Sequence, residues 1–149
     1  MPNIIIKIPE GVFDAAARET LAAAVHGAAK AVERWGDEPR QESLTWIVLE
    51  EVKAGYLFAG GRDPLSRAIP VIVLVYPPAG VIDDAGRADL VRRIHAAIAA
   101  TKPAADTRLV MTSVIIREVA DGTWGASGTL WHLPDFARAA GYAHLQHLV

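Results

Sequence analysis

The sequence predicts an α+β fold: tandem β-α-β units forming a four-stranded mixed sheet with two helices on one face, plus a short C-terminal tail. Three observations predict it. The chain repeats itself at an offset close to 69 residues. Each copy alternates short apolar runs with a long Ala-rich stretch of helical period. Apolar residues make up 52% of the 149, enough for a core and too many for a disordered chain.

The repeat is an ordered series. Arg18, Leu21, Val25, His26 and Ala28 recur as Arg87, Leu90, Ile94, His95 and Ala97, at an offset of 69. Pro2 and Pro70 each open an apolar run, at an offset of 68. Glu51-Val52 and Gly55 recur as Glu118-Val119 and Gly122, at 67. Small loop insertions in a duplicated unit produce such a drift.

The first strand runs from Asn3 to Ile8 and is ended by Pro9-Glu10-Gly11. Asp14 caps a helix with Leu21, Val25, Ala28, Val32 and Trp35 on its apolar stripe, and Gly36 and Pro39 close it. Leu44 to Leu49 is the second strand, and Arg62 to Ala68 links the copies. Copy two has a strand from Ile69 to Tyr76 and a helix from about Asp84 to Thr101, with Leu90, Ile94, Ala97 and Ile98 as its stripe. Lys102-Pro103 stops that helix, and Leu109 to Ile116 is the last strand. The whole chain, 1–149, reads as one domain: repeat one at 2–61, repeat two at 69–128 and a tail at 129–149.

Ile4-Ile5-Ile6 and Val71 to Val75 are apolar at consecutive positions, so both faces of these strands call for burial. Two helices cover one face, and the tail, with Leu130, Trp131, Phe136 and Leu145, is too short to cover the other. Another subunit is expected there, making the protein an obligate oligomer. The net charge of −2 argues against a nucleic-acid partner. The absence of Cys excludes disulfides, thiolate catalysis and iron–sulfur clusters. With no secretory leader and no run long enough to span a bilayer, the sequence predicts a soluble, cytoplasmic protein with no membrane contact.

Pro2 follows the initiator Met, and a small second residue permits removal of that Met. The exposed proline would be a secondary amine, with a reference pKa of about 8 that burial or a nearby cation lowers. Such an amine can act as a general base. The structural alternative is an ordinary proline at a strand start.

The Met-Pro start, strand, Ala-rich helix and second strand are followed by Glu51-Val52-Lys53-Ala54-Gly55 and the Gly-rich turn to Gly61, with Glu118 to Gly128 as its second copy. This order resembles the tautomerase superfamily. Two fused copies are similar to the cis-3-chloroacrylic acid dehalogenase and malonate semialdehyde decarboxylase branches, over residues 2 to 128. The resemblance implies Pro2 as base, no metal, no organic cofactor and a homotrimer. Pro70, matched to Pro2, has its nitrogen in a peptide bond, so one proline site per chain is implied.

Several positions depart from that pattern. Arginines of the superfamily fall here on Val12 and about Gly80, and on Trp46 and Ser113. The aromatic wall falls on Leu57 and Trp124, the water-activating acid of the dehalogenases near Ala126, and their helix histidine on Ala29 rather than His26. Arg117 shares a strand face with Ser113 and Ile115, where it either binds a substrate oxygen, is a solvated arginine at a strand end, or pairs between subunits with Glu50 or Glu118. Trp46 and Trp124 either line a pocket or fill a core or interface. His144 and His147 fit one helix face but have no carboxylate partner in sequence, which argues against a metal. Arg87, Arg92 and Arg93 read as a solvated helix face.

The function expected is keto–enol isomerisation of a small carbonyl compound, with Pro2 as catalytic base and Arg117, Trp46 and Trp124 as substrate-binding residues. The alternatives are a decarboxylase or hydratase on the same scaffold, or a non-catalytic trimeric ligand-binding protein.

Overall fold

A computed structural model describes residues 1–149. Strands β1 (Asn3–Pro9), β2 (Trp46–Val52), β3 (Ala68–Tyr76) and β4 (Leu109–Ile116) form one sheet in the order β2-β1-β3-β4. β1 is parallel to β2, β3 is parallel to β4, and the central pair β1–β3 is antiparallel. The sheet is mixed, as the sequence predicts. Helices α1 (Ala15–Glu33) and α3 (Asp84–Thr101) cover one face. Their Leu21, Val25, Leu90, Ile94 and Ile98 share a core with Ile4, Ile6 and Ile8 of β1 and Val71, Val73 and Val75 of β3.

The repeated residues make equivalent bonds. Asp14 accepts from the Ala17 N–H at 2.8 Å and Asp83 from the Gly86 N–H at 2.7 Å, so each caps its helix. Arg18 pairs with Glu51 at 3.5 Å and Arg87 with Glu118 at 2.5 Å, tying α1 to β2 and α3 to the segment just after β4. The Glu10 N–H donates to the Val52 carbonyl and the Ala79 N–H to the Val119 carbonyl, both at 2.9 Å.

These bonds fix the offset at 69 for the stretch from β1 through α1, matched to that from β3 through α3. The counterpart of Pro2 is therefore Val71, and the match to Pro70 is corrected by one residue. Pro2 and Val71 are both buried, whereas Pro70 is only partly so. A slip of one residue in a strand turns every side chain to the opposite face, and the apolar run around Pro70 hides that slip in the sequence.

Copy one carries two more residues between its helix and its second strand. The chain there forms a short helix, α2 (Pro39–Glu42), which the sequence reading lacked. α1 also ends earlier than expected. Arg34 takes a left-handed conformation (φ 57°) and closes the helix at Glu33, so Gly36 and Pro39 are not its stop. Trp35 is buried but lies outside the helix. Turns from Gln41 to Leu44 and from Glu42 to Thr45 hold the segment that was expected to begin β2, which starts at Trp46.

The last residues are more structured than a tail. β5 (Trp124–Ala126) and β6 (Thr129–Trp131) form an antiparallel hairpin, followed by α4 (Leu133–Ala140) and a 3-10 turn at Gln146–Leu148. Phe136, Ala137, Ala140, Tyr142 and Leu145 enter the main core. The Gly36 N–H donates to the Ala140 carbonyl at 2.9 Å and the Ala143 N–H to the Arg34 carbonyl at 3.0 Å, seating this segment against the end of α1. It leaves the open face of the sheet bare. One row across that face is wholly apolar: Val48, Ile5, Leu74 and Ile115 stand side by side on the four strands. Leu109 (66% exposed) and Met111 lie on the same face.

Asp121 links the β4–β5 connection to α4. One oxygen accepts from the Leu133 N–H at 2.6 Å, and the other lies 2.9 Å from the His132 ring. The hydrogen bond with Asp121, and then its charge, raises the His132 pKa above the ordinary histidine value. The bond to His132, and then the Leu133 N–H, lowers that of Asp121. The histidine contribution is complete below its unfolded pKa and lost as pH rises through the raised value. The carboxylate contribution is complete above its unfolded pKa and lost as pH falls through the lowered one. The contact is therefore strongest between roughly pH 4 and 6.5. Both side chains are more than half exposed, so its effect on overall stability is small. In an NMR titration Asp121→Asn should bring the His132 midpoint down. An unmoved midpoint would show that the pair does not form.

Candidate functional site at the N-terminus of β1

The start of β1 lies beside the start of β2, with Asn3 opposite Trp46. Trp46 opens an edge strand and points to the bare face, so it is 67% exposed. The β5–β6 hairpin folds back to the same end. Trp124 and Trp131 are cross-strand partners, and each meets Phe136 edge-on, at 5.4 and 5.2 Å. Between these elements opens a cleft of about 270 Å³, lined by Met1, Asn3, Leu44, Trp46, Trp124, Trp131 and hairpin residues 125–127. Trp46 and Trp124, marked in the sequence, meet here beside the N-terminus. Pro2 is buried between two lining residues, Met1 and Asn3.

No charged side chain lines the cleft. Ala126 does, and brings no acid to it. Arg117 does not. The strand register puts Trp46, Asn3, Tyr76 and Arg117 in one row, so Arg117 is three strands away from Trp46, about 14 Å. Its two expected acid partners are taken within the chain, Glu50 by Lys7 and Glu118 by Arg87. The other helix arginines are also neutralised: Arg92 and Arg93 both pair with Asp89.

Two residues that the sequence reading passed over stand at the chain terminus. The Met1 ammonium donates to Glu33 Oε2 and to the Tyr142 hydroxyl at 2.6 Å. The Tyr142 hydroxyl donates to the same Glu33 oxygen at 3.1 Å. Glu33 is 0% exposed, and its second oxygen, Oε1, is buried without a partner. Burial lowers the amine pKa, and the charge and hydrogen bond of Glu33 oppose that shift. Burial, and then Glu33, raise the Tyr142 hydroxyl far above its ordinary value. The signal for Glu33 was present: Leu21, Val25, Ala29 and Glu33 fall every four residues, which puts a carboxylate on the buried stripe. Tyr142 follows the Gly141 cap in a segment with no periodicity to read.

His26, His95 and His144 serve local structure. His26 meets Trp35 edge-on at 5.4 Å, His95 lies 2.9 Å from the Thr112 hydroxyl, and His144 Nε2 donates to the Val81 carbonyl at 2.8 Å. No group of three or more His, Cys, Asp or Glu residues is placed to hold a metal ion. No helix is long and apolar enough to cross a membrane.

No protein-family model and no curated protein sequence matches the chain. Solved structures do. A symmetric trimer of a fused 4-OT superposes with a TM-score of 0.69 at 20% identity, over 93% of this chain and 98% of the other. A member of the cis-3-chloroacrylic acid dehalogenase family gives 0.66 at 17% identity, over 87% and 82%. Pt0534 inactivated by 2-oxo-3-pentynoate gives 0.69 at 14% identity, over 87% and 95%. The chain thus has the fold of the fused 4-OT proteins and of related tautomerase-superfamily structures.

Proposed function

We propose that the chain is a tautomerase-like enzyme in which Pro2, exposed by removal of Met1, is the general base for keto–enol isomerisation of a small carbonyl compound. The observation that carries this reading is the position of the cleft. It opens at the start of β1, flanked by the residues on either side of Pro2 and walled by Trp46 and Trp124. The reaction needs one amine. The proline nitrogen takes the enol O–H proton, and the O–H electron pair becomes part of the C=O bond. The C=C pair then takes a proton from the resulting ammonium at carbon. Pro2 is buried, and burial favours the neutral amine that the first step requires.

With indole walls and no arginine in the cleft, an aryl or alkyl enol suits the site better than a dicarboxylate. Asn3 and Ser127 are the side chains there that can hydrogen-bond the carbonyl oxygen. The assembly that goes with this reading is a homotrimer packed through the bare sheet face. In it, Arg117 would reach a substrate oxygen only across a subunit boundary. The test is ketonisation of a small aryl-substituted enol by protein whose intact mass lacks Met1. Absence of turnover across a panel of aryl and alkyl enols would contradict the reading.

A second reading draws on the Met1 amine itself. With Met1 retained, the amine stays buried on Glu33 and Tyr142, Pro2 is an amide, and the same cleft serves a non-catalytic ligand-binding trimer. The decarboxylase or hydratase alternative calls for an acid to activate water, and the cleft offers Ala126 at that place.

A further inference from the structure

We propose that Glu33 and Tyr142 are positioning residues for the N-terminal base: together they form a buried receptor that anchors the terminal amine and stabilises its protonated form. This rests on the reading of Pro2 as that base.

Three observations converge on the receptor. First, both groups contact the terminal nitrogen, and they contact each other. Second, Glu33 is fully buried with one oxygen unpartnered, which is costly for a carboxylate that has no cation to serve. That vacant acceptor leaves the carboxylate able to follow an amine that shifts position. Third, the two residues come from distant parts of the chain. Glu33 is the last residue of α1, placed by the Arg34 left-handed cap, and Tyr142 is delivered by the segment after α4. The final residues thus reach the N-terminal site as well as the core.

Removal of Met1 moves the terminus by one residue, at most ~3.6 Å, so Pro2 stays within range of the Glu33 charge. The space vacated by Met1, itself buried, joins the cleft. In that arrangement Glu33 stabilises the ammonium formed when Pro2 takes the substrate proton. Burial pulls the other way, as it does at the Met1 amine, so the two opposing effects set the pH at which the base works. The other ionisable groups near the receptor include His144, whose Nδ1 is buried without a partner. Lys30 is bound to Asp37 and Glu42, Arg34 is exposed, and His144, whose ring lies 5.9 Å from that of Tyr142, holds the Val81 carbonyl.

The test is an NMR titration of the terminal amine in the purified full chain, labelled with 15N, for wild type, Glu33→Gln and Tyr142→Phe. Glu33→Gln keeps the shape and loses the charge. Its amine midpoint should fall by about one to three units, and the acid side of the kcat/KM profile should move with it. Tyr142→Phe should lower the midpoint by less, and it serves where Glu33→Gln does not fold. An amine midpoint unchanged in both variants would overturn the proposal. A fallen midpoint in a protein that turns over no enol supports the receptor and counts against the base reading alone, so the two failures are distinguishable.

Discussion

Pro2→Ala should lower kcat/KM for enol ketonisation by about 10²-fold or more, the range that a positioned general base contributes. Alanine still leaves an amine after Met1 is removed. It loses the ring that ties the nitrogen to its own side chain and fills a buried position just before β1. The nitrogen is then no longer held in the geometry that the proton transfer needs, and small misplacements of a reacting atom are costly. The loss should fall on kcat, because Trp46, Trp124 and Trp131 still form the cleft and bind the substrate as before. A spectrophotometric ketonisation assay reads the effect, with thermal melting as a control for folding. Equal rates for variant and wild type would remove Pro2 from the mechanism.

Leu74→Asp should disperse the assembly into single chains. Leu74 is central in the apolar row of the bare face, between Ile5 on β1 and Ile115 on β4, with Val48 completing the row. In an assembly packed through that face, the new carboxylate would be buried with no cation in its row, a penalty of several kcal/mol per subunit. In the isolated chain the same face meets water, so the fold has little reason to suffer. Sedimentation velocity at micromolar concentration should show a trimer for wild type and a monomer for Leu74→Asp. A wild-type monomer, or a variant that still assembles, would contradict an interface on this face.

The fold was legible in the sequence because duplication writes each structural contact twice. Arg18 and Glu51 recur as Arg87 and Glu118 because each pair ties a helix to the end of the strand that follows or the residues just past it, and Asp14 and Asp83 recur because each caps a helix. What the repeat left uncertain was phase within a run of like residues. Ile69 to Val75 offers no polar landmark to match against Lys7 of β1, so Pro70 stands in for Val71 until the strand register is known. The end of α1 was obscured because Arg34, rather than a glycine, adopts the left-handed cap. Four residues are too few for α2 to show a period.

The site was legible only where the family resemblance pointed. It marked Trp46 and Trp124, which line one cleft, and Pro2, which lies between the cleft residues Met1 and Asn3. It also marked Arg117, which stands in the same row three strands away. The amine receptor is hidden in the sequence at both of its residues. Glu33 lies in phase with a buried stripe, but a glutamate near a helix end is ordinarily solvated. Tyr142 acts from a segment whose packing partners, Arg34 and Gly36, are more than a hundred residues away in sequence.

The central claim is that the terminal nitrogen of Pro2 is exposed and reactive. The most direct measurement is intact and peptide mass spectrometry of the purified protein before and after treatment with 2-oxo-3-pentynoate. This reagent is a conjugated alkynyl ketone, and a neutral amine adds to it: the nitrogen bonds to the distal alkyne carbon and a proton goes to the neighbouring one. The account predicts a mass lacking Met1, one added equivalent located on Pro2, and loss of ketonisation in proportion to labelling. Retained Met1, or a Pro2 that stays unlabelled while activity persists, would contradict it.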